Sequence, residues 1–455
     1  METKVLILAA GQGKRMKSSF PKVLHKLCGK PLLSYVIDTA KALNPEEIYV
    51  ILAYGKEKVI EVLPEGVKSI DQGSPLGTGH AVKVALENIE KSKGVLLVLS
   101  GDVPLIKKET LEKFYENFKK DKADLSFISV SLENPGNYGR VLRGRKGKIL
   151  KIKEARDCSK KELKIKEINT GIYLFKIEKI KPLLSKIKNK NAQKEYYLTD
   201  LVEMAVKNKL KVNSYIYPTF FEFSGVNSRE ELAILGKYLY RKKAEELMES
   251  GVTIFDPENT YINPDVEVGE DTEIYPGVYL ENCKIGKECV IFPNSFIINS
   301  KIDDGTVIYP YSMIENSIIG KKCKVGPSAH LRAETILKDE VRLGNFVETK
   351  KATLGKGTKA AHLTYLGDAI IGENVNIGCG TITCNYDGIR KHQTIIEDGA
   401  FIGSDCQLVA PVKVGKNAYT ASGTTVTDDV PEYSLAISRV PQKNVINWVK
   451  RRSKK

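Results

Sequence analysis

No stretch of the 455 residues approaches the ~18 consecutive apolar residues that a membrane-crossing helix needs, so no membrane insertion is expected. The opening residues Met-Glu-Thr-Lys lead into an apolar run, Val5 to Ala10, that is too short and follows an acid too closely to be a secretion signal. The cytoplasm is the expected compartment. The eight cysteines lack the paired short spacing of zinc sites and suggest no disulfide framework. At repeat positions they read as small buried hydrophobes. A net charge of +15 comes without aromatic platforms or groove-reading motifs, so nucleic acid is not an expected partner and anionic small molecules fit better.

What is present is, first, a repeat. From about Val252 to Val426 an apolar residue followed by Gly recurs at gaps of six or near multiples of six, as in Val268-Gly269, Ile285-Gly286, Ile319-Gly320, Leu343-Gly344 and Ile402-Gly403. The clearest stretch is Ile371-Gly-Glu-Asn-Val-Asn followed by Ile377-Gly-Cys-Gly-Thr-Ile. A six-residue turn cannot bury its own apolar side chain, so such turns must stack into a solenoid with an interior column of Ile, Val and Leu. The period breaks between Thr383 and Thr394, where the polar Cys384 to Gln393 cannot continue the coil and is expected to be extruded as a loop that builds a binding surface. Near it stands His362, whose imidazole can take a proton from an attacking amine.

The first half reads differently. Apolar strand-like runs at Lys4 to Ala10, Ile48 to Leu52, Val95 to Leu99 and Leu125 to Val130 alternate with helical patterns at Leu32 to Leu43, Ala81 to Glu90 and Glu109 to Lys120. That order implies a doubly wound, mostly parallel sheet with ligands beyond the carboxyl ends of its strands. Gly11-Gln-Gly13-Lys-Arg15 follows the first strand and Asp102 follows the Val95 strand, both at that edge. The glycine turn lets backbone N–H groups approach phosphate oxygens but has neither the dinucleotide nor the Walker spacing, and Asp102 suits Mg²⁺ as an oxygen ligand. Alone, the glycine turn reads better as a purely structural turn, and Asp102 is as readily a turn residue as a ligand.

Between the halves, Ser228-Arg-Glu-Glu231 is a capping box, and Leu232, Leu235, Leu239 and Leu247 recur at helical spacing. One helix is expected, about 33 Å long at about 1.5 Å per residue. The expected domains are therefore 1–227, a linker helix at 228–250 and the repeat at 251–455.

Four segments in order, Leu8-Ala-Ala-Gly-Gln-Gly-Lys-Arg-Met16, Pro21-Lys22-Val-Leu-His25, Gln72-Gly with Pro75-Leu-Gly-Thr-Gly79, and Gly101-Asp102-Val-Pro, resemble the sugar-nucleotide pyrophosphorylases. Gly344-Asn-Phe-Val-Glu-Thr-Lys-Lys351, His362-Leu-Thr-Tyr-Leu-Gly-Asp368 and Gly380-Thr-Ile-Thr-Cys-Asn-Tyr-Asp-Gly388 extend the resemblance over nearly the whole chain, to the bifunctional enzymes that acetylate glucosamine 1-phosphate and then uridylylate the product. The resemblance implies an α/β nucleotidyltransferase domain, a left-handed parallel β-helix and a homotrimer. It implies UTP and acetyl-CoA as co-substrates and Mg²⁺ as cofactor.

Carried over by position, it places Leu8, Ala9, Ala10, Gly11, Gly13 and Arg15 around the UTP phosphates and Lys22 at the transferring phosphate. Asp102 and Asn227 hold Mg²⁺. Gln72, Gly77 and Thr78 meet the uracil, and Gly139, Glu154, Asn169 and Thr170 the N-acetylglucosamine. In the second site Arg332 and Lys350 bind the sugar phosphate, His362 is the general base supported by Glu348, and Tyr365, Asn376, Asn385 and Tyr386 complete the glucosamine pocket. Cys379, Ser404, Ser422 and Arg439 line the coenzyme A path, which the Asn385-Tyr386 pair also borders. Lys14, Ser100, Ala361, Cys379 and Ser422 depart from residues common in that family. Two other readings are a monofunctional pyrophosphorylase whose repeat only assembles an oligomer, and a non-catalytic regulatory subunit.

Overall fold

The computed structural model describes residues 3–89, 93–438 and 440–452. The chain divides into two compact units, Met1–Gly236 and Lys237–Lys455. In the first, the strands β1 (Thr3–Leu8), β2 (Glu47–Leu52), β3 (Val67–Asp71), β4 (Val95–Ser100), β5 (Leu125–Ser131), β8 (Glu167–Lys176) and β9 (Val212–Tyr217) form a sheet of order β9-β5-β8-β4-β1-β2-β3. All neighbours are parallel except β8, which is antiparallel to β4 and β5. A hairpin of β6 (Arg140–Arg143) and β7 (Ile149–Lys153) joins the sheet through β8.

Both faces are covered, as the uninterrupted apolar runs require. Val5 and Ile7 pack with α1 (Leu32–Ala42) and α3 (Lys108–Lys120) on one side. Leu6 packs with α2 (Thr78–Asn88), α4 (Ile177–Leu184) and α5 (Asp200–Lys207) on the other. The doubly wound reading therefore holds, with local differences. β1 ends at Leu8, leaving Ala9 and Ala10 buried in the following loop. Helix α2 starts at Thr78 rather than Ala81, and Glu90 lies outside the described residues.

The linker segment is one helix, α6 (Arg229–Glu249), 21 residues long. Its capping box is closed: Glu231 Oε2 accepts from the backbone N–H groups of Asn227 and Ser228 at 2.6 and 3.2 Å, while Glu231 N donates to Ser228 Oγ at 3.1 Å. The division between units falls within this helix. Leu235 is buried and Gly236 O accepts from Cys28 Sγ, whereas Ala244 and Leu247 belong to the core of the repeat.

The second unit is a stack of parallel coils, consistent with the left-handed hexapeptide type, with three inward columns. One runs Ile274, Ile291, Ile308, Val325, Leu343, Ala360, Ile377, Ile402. A second runs Leu280, Ile297, Ile314, Leu331, Thr349, Leu366, and the third Val268, Ile285, Ile302, Ile319, Leu337, Leu354, Ile371. One corner is a polar ladder: Thr272 Oγ1 donates to Gly286 O at 2.9 Å and accepts from Cys289 N at 3.1 Å, and Thr306 does the same for Gly320 and Cys323. Burial pushes the Cys323 thiol up to about 11, which keeps it a donor, here to Lys338 O at 3.1 Å. Cys283, Cys289, Cys323 and Cys406 are buried as the repeat reading expects, but Cys379 is exposed.

Neighbouring coils sit one strand spacing, ~4.8 Å, apart. At Gly344 a Cβ would lie 1.8 Å from the carbonyl oxygen of Ala361 on the next coil, a backbone atom that cannot swing away. Gly344→Ala is expected to lower the stability of the second unit by ~1–3 kcal/mol through overpacking. Gly11→Ala, with nothing within 4 Å of its Cβ position, is expected to leave stability unchanged. Thermal unfolding of the two variants separates these outcomes.

Candidate active sites

In the first unit the chain leaves β1 towards β2 on one side and reaches β4 on the other, which makes the carboxyl ends of β1 and β4 the point where strand order reverses and a ligand crevice opens. Gly101 N donates to Leu8 O at 2.9 Å, tying the two exits together. The Gly11–Arg15 turn and Asp102 both start there. Gly13 has φ +63, and a Cβ on it would lie 2.6 Å from Lys22 Cβ, so its lack of a side chain is what lets the stem of Lys22 cross the turn.

Lys22 Nζ donates to Asp102 Oδ2 and, at 3.2 Å, to Asn227 Oδ1. The Lys22 and Asp102 side chains are 13% and 18% exposed. Val226 N donates to Asp102 O at 2.9 Å, and the capping box of α6 fixes the backbone of Asn227. Three residues separated by up to 205 positions thus meet at one point. Asp102 and Asn227 supply one charged and one neutral oxygen, already gathered about a positive charge, and such a donor set fits Mg²⁺ when phosphate oxygens complete the shell.

Along the crevice, Gln72 follows β3 and is 5% exposed, with Nε2 at 3.2 Å from Gly77 O and 3.0 Å from His80 Nδ1. Thr78 Oγ1 is committed to the backbone of Leu198 at 3.1 Å, so Thr78 braces the 195–199 segment. That segment ends in Thr199, whose hydroxyl donates to Glu154 Oε1 at 3.1 Å. Glu154 is therefore half-buried, not the exposed charge its lysine-rich surroundings suggest. Burial raises its carboxyl above the ordinary glutamate range, and burial with Glu203 pushes Asp200 up to about 6. Gly139 O accepts from Asn169 N at 2.9 Å, and the β8–β5 register slips between Asn169 and Tyr173. The slip is an irregularity that re-aims side chains. Thr170 is buried in it with its hydroxyl on Ile128 O, and its side chain therefore packs the sheet.

In the second unit two 13-residue strands, β10 (Arg342–Leu354) and β11 (Lys359–Ile371), lie in parallel register with Asn345 beside His362, Glu348 beside Tyr365 and Lys350 beside Gly367. The extruded loop is then visible in the register. The coil step from Lys359 to Asn376 is 17 residues, whereas that from Asn376 to Phe401 is 25. The extra residues form a small hairpin closed by a Tyr386–Lys391 bridge. Asp387 holds its tip, accepting from Ile389 N, Arg390 N and His392 Nε2 at 2.7, 2.6 and 2.7 Å. Asp368 of β11 holds its base, accepting from Asn385 Nδ2 at 2.5 Å and pairing with Lys391 at 3.9 Å.

The loop sets Lys391 beside Lys350. Lys391, then Arg332, hold the Lys350 ammonium below its ordinary range. Three cations thus share one patch, and Tyr365 Oη and Asn385 Nδ2 close over the space that Gly367 leaves. His330 is paired with Glu315 at 3.1 Å and His392 with Asp387, so His362, exposed on β11, is the histidine of this unit whose ring has no carboxylate among the described residues. Glu348 does not reach it. Its carboxylate accepts from Arg332 Nη1 at 2.8 Å, one coil below.

Cys379, Ser404 and Ser422 are exposed and follow one another up one corner. Asp405 N donates to Cys379 O and Gly423 N to Ser404 O, one coil apart each time. Asn376 is half-buried and stacks beneath Phe401, and Tyr386 is exposed on the hairpin. Arg439 lies outside the described residues. Residues that sequence reading missed are Lys391, Asp368 and Thr199; a lysine inside a period break was the one available signal, since the other two act through contacts across 17 and 45 positions.

Residues 5–160 match the family described as MobA-like NTP transferase domain, residues 257–354 the GMPPB C-terminal domain, and residues 393–428 the bacterial transferase hexapeptide (six repeats). The curated Bifunctional protein GlmU of Thermosipho africanus (strain TCF52B) is 50% identical over 449 residues, covering 99% of this chain and 97% of that protein. Its namesakes in Thermodesulfovibrio yellowstonii and Thermosipho melanesiensis are 48% and 49% identical, each covering 99% of this chain and 99% and 98% of their own. With such identity sustained from end to end, across both units, the chain belongs to the GlmU family of bifunctional enzymes.

Proposed function

We propose that the two units catalyse consecutive steps of UDP-N-acetylglucosamine synthesis: the coil unit transfers the acetyl group of acetyl-CoA to the amine of glucosamine 1-phosphate, and the first unit joins the product to UTP with release of pyrophosphate. The observation that carries this reading is the second residue set. A patch of Arg332, Lys350 and Lys391, together with His362 on β11, whose ring has no carboxylate among the described residues, is more than a scaffold requires. It argues against both the oligomerising-scaffold and the regulatory-subunit readings.

In the coil unit the cation patch receives the sugar phosphate, Tyr365, Asn376, Asn385 and Tyr386 hold the sugar, and His362 takes the proton that the amine loses as it attacks the thioester carbon. The thiolate of coenzyme A leaves along the Cys379–Ser404–Ser422 corner, and Arg439 is assigned to the coenzyme's path by its sequence position alone. Transfer is direct. In the first unit an ionised sugar-phosphate oxygen attacks the α-phosphorus of UTP, so no general base is needed and catalysis rests on positioning and charge. Gly11, Gly13 and Arg15, following Leu8, Ala9 and Ala10, cradle the triphosphate, and Lys22 balances charge on the transferring group. Gln72, Gly77 and Thr78 face the uracil, and Gly139, Glu154 and Asn169 the N-acetyl sugar. Asp102 and Asn227 would hold Mg²⁺, which supplies charge neutralisation to the phosphates when bound. A homotrimer in the cytoplasm completes the reading. Exposed apolar side chains on the coil faces, such as Phe296, Ile318, Ile370 and Tyr419, support the packing of prisms against one another.

Coenzyme A release on adding glucosamine 1-phosphate and acetyl-CoA tests the reading directly. His362→Ala is expected to lower acetyl transfer by about 10²–10⁴-fold, the usual weight of a general base, while sparing pyrophosphate release. Lys22→Ala is expected to do the reverse. Unchanged thiol release by the His362 variant would sink the acetyl-site assignment. Because burial raises the Glu154 carboxyl, its anionic form is lost as pH falls at values above the ordinary glutamate range. The KM for the sugar phosphate in uridylyl transfer is therefore expected to rise early on the acid side. Glu154→Gln should start from a higher KM and lack that limb, leaving the phosphate's own titration as the shared background.

A further inference from the structure

We propose that His80 determines base specificity in the uridylyltransferase half: its unprotonated Nδ1, together with the Gly77 carbonyl, fixes the Gln72 amide so that only its carbonyl oxygen is offered to a base, which selects uracil over cytosine. The inference rests on the reading that Gln72 meets the base of UTP.

The argument is one of donors and acceptors. A backbone carbonyl can only accept, so the end of Gln72 that lies 3.2 Å from Gly77 O is the nitrogen, Nε2. The same nitrogen lies 3.0 Å from His80 Nδ1. An amide nitrogen has two hydrogens and accepts nothing, so Nδ1 accepts and the ring proton of His80 sits on Nε2. Both hydrogens of Gln72 are then committed inside the fold, and among the described residues nothing donates to Oε1. That oxygen is the one free function of a side chain only 5% exposed. Uracil presents a donor, N3–H, and satisfies it. Cytosine presents a lone pair at the same atom, and two lone pairs would face each other in a buried place.

The parts that hold this arrangement are rigid. Gln72 N donates to Leu52 O at 2.7 Å at the end of β3. Gly79 N donates to Tyr196 O at 2.7 Å, and Tyr196 N to Leu76 O at 2.9 Å, so the turn carrying Gly77 is strapped from both sides. His80 stands in the first turn of α2 with its ring against that of Tyr196, centroids 6.2 Å apart. Burial, then Lys83, hold the imidazole below its ordinary range against the opposing pull of Glu87, and the neutral ring is the form that accepts.

The test measures pyrophosphate release by the full chain with N-acetylglucosamine 1-phosphate, Mg²⁺ and either UTP or CTP. His80→Leu removes the acceptor, and the UTP:CTP ratio of kcat/KM is expected to fall by about tenfold or more, mainly through KM for UTP. His80→Gln, whose side-chain oxygen can accept from Gln72, is expected to restore the ratio. A ratio unchanged in His80→Leu overturns the proposal. Ring ¹⁵N NMR of the unaltered protein gives a second reading that needs no variant. A pyridine-like Nδ1 at His80 is expected, and a pyrrole-like Nδ1 overturns the proposal whatever the variants do. An unaltered protein that releases no pyrophosphate from either nucleotide overturns the uridylyltransferase reading and this inference with it. A UTP-selective protein whose selectivity survives in His80→Leu overturns this inference alone.

Discussion

Everything in the second unit follows from the spacing of its coils. Backbones one strand spacing apart leave no room for a side chain where a coil turns its corner, and each inward position must be apolar or internally satisfied. Gly344 meets the first demand, and the columns of Ile, Leu and Val meet the second. Thr349 and Thr383 stand in an inward column and look like violations, yet both are satisfied. Thr349 Oγ1 meets Thr335 Oγ1 at 2.9 Å, and Thr383 Oγ1 donates to Gly367 O at 3.0 Å while accepting from Gly367 N. These two polar core positions lie on the coils that carry Lys350 and the loop base. An extra segment has no place inside such a stack and must leave at a corner. The hairpin closed by the Tyr386–Lys391 bridge is a form that such an insertion can take without breaking the columns.

The first unit solves a different problem. Its ligand crevice is made by topology, at the reversal of strand order, and its charges are supplied from far along the chain. Lys22, Asp102 and Asn227 come from three separate segments and are largely shielded from water, where unpaired charge is costly. Each is held by its own segment, Lys22 by the glycine turn it crosses, Asp102 by the end of β4 and Asn227 by the capping box of α6, and the three meet through Lys22. Helix α6, whose first residues lie within the first unit, thus has a part in the site beyond its expected role as a connector.

Periodicity made the coil columns, the covered sheet and the capped helix legible in the sequence, because each is a local pattern repeated many times. What was not legible depends on single contacts over long separations. Glu154 sits among lysines and reads as surface charge. Its burial comes from Thr199, which no local pattern links to it. Glu348 reads from the resemblance as a support for His362, but the register sets it between His330 and Tyr365 and its carboxylate accepts from Arg332. The β6–β7 hairpin escaped notice because its apolar residues are interleaved with lysine and arginine, as in Ile149-Leu-Lys-Ile-Lys153, a pattern shared with exposed segments, and the antiparallel β8 because Asn169-Thr-Gly171 interrupts its apolar run. Resemblance to a family supplies the register of the sites, whereas the contacts that hold them lie in the fold.

The cation patch of the second site illustrates why the hairpin needs its two aspartates. Arg332, Lys350 and Lys391 repel one another, and the depressed Lys350 ammonium is the sign of that repulsion. Left to itself, a flexible loop would carry Lys391 away. Asp368 prevents this by pairing with Lys391 and bonding Asn385, while Asp387, its carboxyl held far below the ordinary range by two backbone N–H groups and His392, keeps the tip folded without depending on any other coil. The patch is thus held together by the fold against its own electrostatics. On the proposed reading, a sugar phosphate entering it would bring negative charge to a place where positive charge is crowded, and binding would lessen that repulsion. This preorganisation would place the binding energy at the phosphate, remote from the reacting amine and from His362, whose ring has no carboxylate partner among the described residues.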